Sequence, residues 1–415
     1  RIQRLVLPNK LVVLLVEEPS LPVITLRLLV DGGSWRDPQE REGLAHLTAQ
    51  ALLLGTRERS AFQMNRELDF IGSDLRASCG RDYALFTLRL QKTHLKKGFD
   101  LFMEVLTRPS FPKREVRRKV DQIKGAIESQ QDQPGEVASR EFHQALFLTS
   151  PYQHPVEGTI ESLSRIDRRA VVEFYRHYYH PNNALLALAG DITLSEAEEQ
   201  LVPLLKRWPE KESPRTPATT TFAQGPQIVT VDRPISQANL IIGHAGVARD
   251  SGDYYALSVL NYILGGGGFA SRLMQEVRVK RGLAYSIHSA FVPYKRIGTF
   301  QVVLQTKNRS ARQAISLVLQ EMERIKKEPV STQELETAQR YLIGSFPLRY
   351  DTQMELTALL TRMEYYGLGM DYRERYPALI ESVSREDVLR GAQRYLRPEH
   401  TVTCVVADVE KAGMD

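Results

Sequence analysis

A chain of 415 residues is too long for one ordinary hydrophobic core, so two or more domains are expected. Its 55 Lys plus Arg against 50 Asp plus Glu leave a net charge of +5, too thin a surplus over this length to build a nucleic-acid surface. The two cysteines, Cys79 and Cys404, supply neither a disulfide framework nor a cysteine-built zinc site, and apolar runs such as Leu11 to Val16 fall far short of the roughly 20 residues of a membrane span.

In chain order, "LVVLLVEE" from Leu11 and "PVITLRLLVDGG" from Pro22 read as strands, and Gly43 to Leu54 as an apolar helix. "DYALFTLRLQ" from Asp82 alternates apolar and polar with period 2, as a strand with one covered face does. Arg114 to Ser129 reads as a helix. The basic run "KREVRRKVDQIK" that opens it carries Val and Ile at helical spacing, which makes it a solvated face over a core stripe. "HPNNALLALAGDI" from His180 reads as a turn entering a buried strand. Trp208 to Gln227, rich in Pro, Thr and charge, reads as an exposed linker.

The half of the chain beyond the linker repeats the half before it. "VDGGSWRDPQEREGLAHLTAQAL" from Val30 aligns with "GHAGVARDSGDYYALSVLNYIL" from Gly243, pairing Gly33 with Gly246, Arg36 with Arg249, Asp37 with Asp250 and Leu47 with Leu260. "IESLSRID" from Ile160 returns as "IESVSRED" from Ile380, and "RPEHTVTCVVADV" from Arg397 supplies a second final strand. The expectation is an α+β protein of two homologous domains, 1–207 and 228–415, each a largely antiparallel sheet packed with helices and joined by the linker 208–227.

"GLAHLTAQALLLGT" raises a question of chemistry. Residues four apart on a helix share a face, so histidines at i and i+4 can hold one zinc, with a glutamate at i+3 as base in the inverted order H-x-x-E-H. Here His46 is followed at those positions by Ala49 and Gln50. The other histidines are scattered without ligand spacing; no G-x-S-x-G elbow is present, and neither cysteine has a base nearby in sequence. The four glycines Gly265 to Gly268 lack the Gly-Lys-Ser/Thr sequel of a phosphate loop.

The stretch around His46 resembles the zinc helix of the pitrilysin and insulinase family of metallopeptidases, which includes the mitochondrial processing peptidase. "VLPNKLVVLLVEEPSLPVITLRLLVDGGSWRDP" is similar to that family's opening strands, and "SRLMQEVRVKRGLAYSI" to a signature of its second half. The resemblance puts the family's two histidines at His46 and Gln50, its catalytic glutamate at Ala49 and its third ligand at Ala126. Glu128 lies two positions on, about 200° around the helix, and is no substitute. A catalytic zinc needs about three protein ligands and an open position, so the resemblance implies a chain that binds no metal of its own.

It also implies what remains. Arg278 and Tyr285 stand where the family's active enzymes carry substrate-binding residues that reach to the zinc from the other half, and Gly265, Gly266, Gly267 and Gly268 where the non-catalytic processing subunit has a flexible loop. The function so implied is that of a non-catalytic subunit of a heterodimeric, bacterial zinc metallopeptidase. It would be inactive alone, with zinc in a homologous partner subunit and unfolded peptides as substrate. The alternatives are an inert scaffold, like the family's relatives in the cytochrome bc1 complex, and a peptide-binding homodimer. Because numbering starts at Arg1, past any leader, the periplasm is favoured over the cytoplasm.

Overall fold

The computed structural model describes residues 1–215 and 219–414; residues 216–218 of the expected linker lie outside the described residues. Five strands precede the long central helices: β1 (Gln3–Val6), β2 (Val12–Glu17), β3 (Val23–Val30), β4 (Asp74–Cys79) and β5 (Ala84–Gln91). Three come after them, β6 (Phe147–Thr149), β7 (Ala184–Gly190) and β8 (Thr221–Phe222). The second half adds β9 (Gln227–Asp232), β10 (Gln237–Ala245), β11 (Ala284–Pro293), β12 (Gly298–Lys307) and β13 (Val402–Ala407).

One sheet has the order β1-β2-β7-β3-β5-β4, another β11-β12-β10-β13-β9, and β6 pairs with β8. Reversed, the second sheet reads β9-β13-β10-β12-β11 and reproduces the β2-β7-β3-β5-β4 of the first. The correspondence extends to the one parallel pair in each, β2 with β7 and β9 with β13, in an otherwise antiparallel ladder. The repeat in the sequence is therefore a repeat of topology, and the α+β fold of two homologous sheets is present.

The chain forms two compact units, and neither is a continuous stretch. One comprises Arg1–Glu128, His154–Ala218 and Pro347–Met370; the other comprises Ser129–Gln153, Thr219–Phe346 and Asp371–Asp415. Each sheet thus receives one helix from the far half of the chain. Helix Gln353–Tyr365 lies on β7 and β3, and helix Pro134–Leu146 lies on β13 and β10.

This exchange explains why β7, "ALLALAG", shows no polar alternation: both its faces are covered. Leu186 and Leu188 join the main core beneath the first unit's helices, while Ala187 and Ala189 meet Leu356 and Leu360, and Leu185 meets Tyr365. β13 is likewise buried along its whole length. The basic helix, observed at Lys113–Gln130, buries Val116, Val120, Ile123 and Ile127 and leaves its charges outward, as its spacing predicted.

Candidate functional site

The motif helix spans Leu44–Ala51 and ends in a 3-10 turn, Leu52–Leu54. Its first turn is held by Asp37, whose carboxylate accepts the N–H groups of Gly43 and Ala45 at 2.8 and 2.7 Å. Burial raises the Asp37 pKa well above the usual carboxylate range against the pull of those two donors. Leu44, Leu47 and Ala51 anchor the helix in the core.

None of the three motif positions is set up for metal. His46 is half-buried, its Nδ1 has no hydrogen-bond partner among the described residues, and its pKa is lowered, first by burial, with Glu157 opposing and Lys119 assisting. Ala49 is fully buried and carries no acid or base. Gln50 Nε2 donates to the Ala77 carbonyl at 3.0 Å. The β4–β5 hairpin closes with Gly80 N–H donating to Tyr83 O, and antiparallel alternation from that pair turns the Ala77 backbone groups away from β5. Gln50 therefore caps the open edge of β4. Ala126 and Glu128 are both exposed on helix Lys113–Gln130.

Among the described residues no three His, Cys, Asp or Glu side chains converge as metal ligands. The donors present here, one imidazole and one committed carboxamide, do not fit a catalytic zinc. At Cys79, close by, burial pushes the thiol pKa up, and the charges of Asp37 and Glu157 push it the same way, which disfavours the thiolate.

The second unit differs. The glycine run, expected as a loop, is wound: Tyr262–Gly266 is a single π-helical turn continuing helix Tyr254–Asn261, followed by a 3-10 turn at Gly268–Ala270. The glycines are there for packing and backbone angle. A Cβ on Gly265 would stand 2.7 Å from the Ser289 backbone N, and Gly268 has φ +55°. Arg272, just beyond, grips Glu334 through two hydrogen bonds of 2.7 and 3.0 Å. Burial would raise the Glu334 pKa, but Arg272 and the Ser331 cap bring it down to about 2.

Arg278 lies in a second π-helical turn, Met274–Val279, and Tyr285 at the start of β11. Between Ala284, paired with Thr306, and Ser286, paired with Gln305, the register slips by one, so Tyr285 is the extra residue of a β-bulge. A bulge re-aims its side chain out of the ladder, and Tyr285 is 71% exposed. The Arg278 guanidinium carbon lies 5.8 Å from the Tyr285 ring centroid and 5.2 Å from that of Phe269. The structure thus brings the two expected residues together and adds a third that sequence reasoning passed over. The only signal for Phe269 was an aromatic residue directly after four glycines.

The fold and these two places define a class: a two-unit, peptidase-like chain in which Ala49 and Gln50 follow His46 on a helix of the first unit and Arg278 lies beside Tyr285 in the second. Comparison with known proteins agrees. Residues 12–160 match the family described as insulinase (peptidase family M16), and residues 165–342 the family described as peptidase M16 inactive domain. The chain belongs to the M16 peptidase family.

A Streptomyces coelicolor protein named an uncharacterized zinc protease is 27% identical over 100% of this chain and 92% of its own. A Helicobacter pylori protein named a non-peptidase homolog is 25% identical over 91% and 88%. The crystal structure of a peptidase M16 inactive domain from Pseudomonas fluorescens superimposes with a TM-score of 0.91 and 29% identity over 98% of each chain.

Proposed function

We propose that this chain is the non-catalytic subunit of a two-chain zinc peptidase. It binds no zinc itself and lends Arg278 and Tyr285 to a homologous partner bearing an intact H-x-x-E-H helix. The observation that carries the reading is the contrast between the units: Ala49 offers no donor and Gln50 is committed to Ala77, whereas Tyr285 is exposed and the half-buried Arg278 beside it makes no hydrogen bond or ion pair among the described residues. In the complex, a zinc held by the partner would supply the activated water. The Arg278 fork and the Tyr285 phenol hold the peptide carbonyl and stabilise the oxyanion as it develops, since donors placed for the tetrahedral intermediate act where charge appears. The substrate is an unfolded peptide, because such donors read backbone.

The test is reconstitution. Mixing this chain with an H-x-x-E-H homologue from the same cell is expected to create turnover that neither has alone, and Arg278→Ala to lower that turnover by about a hundredfold, with Tyr285→Phe also reducing it. Metal analysis of this chain purified alone is expected to find zinc far below one per chain. Unchanged turnover in both variants would leave an inert scaffold as the better description.

A further inference from the structure

Three cationic side chains are grouped along the segment 278–281, and they are treated differently. Lys280 and Arg281 are both tied to Glu276, the latter at 2.6 Å. Arg278 makes no ion pair among the described residues; its guanidinium is instead flanked by the rings of Phe269 and Tyr285. A guanidinium held by ring faces in this way keeps its N–H donors free for a further partner.

Phe269 itself is an anomaly for a surface position. It is 63% exposed and shares the Arg278 guanidinium with Tyr285, itself 71% exposed, and large apolar side chains grouped on a surface mark a binding site more often than scattered ones do. Its place is fixed: Gly268 turns the backbone with φ +55°, and Gln275 Nε2 donates to the Phe269 carbonyl at 2.6 Å. The residue is therefore presented outward by a fixed backbone.

We infer that Phe269 is a specificity-determining residue: with Tyr285 it clasps Arg278, and its open ring seats a large apolar side chain of the peptide whose backbone carbonyl Arg278 takes. The occupant is an extended peptide, because an uncompensated guanidinium between two apolar rings is complementary to a carbonyl next to an apolar side chain. This inference rests on the proposed substrate role of Arg278 and adds to it a preference among peptides.

The experiment uses the full chain alone and two fluorescein-labelled unstructured nonapeptides that differ only in a central Phe or Ala. The wild-type chain is expected to bind the Phe peptide about tenfold more tightly than the Ala peptide, Phe269→Ala to abolish that difference, and Phe269→Leu to restore most of it. Arg278→Ala should weaken both peptides alike. If Arg278→Ala weakens binding while Phe269→Ala leaves the preference intact, this inference fails and the substrate role of Arg278 stands. If neither variant changes binding, both fail. If Phe269→Ala instead dissolves a self-associated form seen by sedimentation, the patch seats a second copy of this chain and the inference is overturned.

Discussion

His244, on β10, is neutral because both of its nitrogens are spent in that form. Nδ1–H donates to the Ala245 carbonyl at 2.8 Å, Nε2 accepts the Arg397 N–H at 3.1 Å, and the ring stacks on Phe300. Burial, more than the opposing hydrogen bond to Ala245, draws its pKa down to about 4. The unfolded chain takes up a proton near the ordinary value of about 6.5, so between these values the unfolded state holds more protons. Stability is then complete above about pH 6.5 and falls as pH drops towards 4. Calorimetric melting of His244→Gln is expected to show a shallower decline than the wild type across that window; parallel curves would remove His244 from the account. At this scale the sequence was legible where it concerned missing atoms, as at Ala49, and illegible where it concerned partners. Nothing in "TAQA" tells that Gln50 reaches the Ala77 carbonyl.

The elements around Arg278 depend on how the glycine segment is tied down. Glu334 is the N3 residue of the capping box on helix Thr332–Gly344, closing on Ser331, and also receives the Arg272 fork. A carboxylate whose folded pKa lies near 2 stabilises the fold above its unfolded value of about 4.5, and that contribution disappears as pH falls through 2. Glu334→Gln is expected to cost about 2 kcal/mol at pH 7 by denaturant unfolding, with wild type and variant converging at pH 2. A gap that persists unchanged at pH 2 would assign the loss to packing. Strand β11, "AYSIHSAFVP", was not among the strands read from the sequence, although its β-branched and aromatic residues made it legible. The bulge at Tyr285 was not, because a one-residue slip exists only relative to the β12 register and leaves no mark on one strand's own pattern. The π-turn is equally hidden, since four glycines read as a loop until Ser289 is seen against Gly265.

At the scale of the whole chain, the internal repeat was legible because Arg36 and Asp37 find Arg249 and Asp250 at the same offset in matching surroundings. The destination of two helices was not, because an amphipathic helix declares that it has an apolar face and never which sheet will cover it. Helix Gln353–Tyr365 closes over β7 and β3 of the first unit, and helix Pro134–Leu146 over β13 and β10 of the second. Neither half should therefore fold usefully alone. A fragment of residues 1–215 leaves Leu14, Val16, Ala187 and Ala189 without Leu356 and Leu360, an apolar face open to water. A fragment of residues 219–415 leaves β13 and β10 bare in the same way. Expressed separately, both are expected to aggregate, and expressed together to yield a soluble complex that melts in one transition like the intact chain. In the uncut protein, Leu360→Ala should cost about 2–5 kcal/mol, since Leu360 is fully buried against β7. Two fragments that are each soluble, monomeric and cooperatively folded would show that the exchanged helices cover the sheets without being needed to hold them.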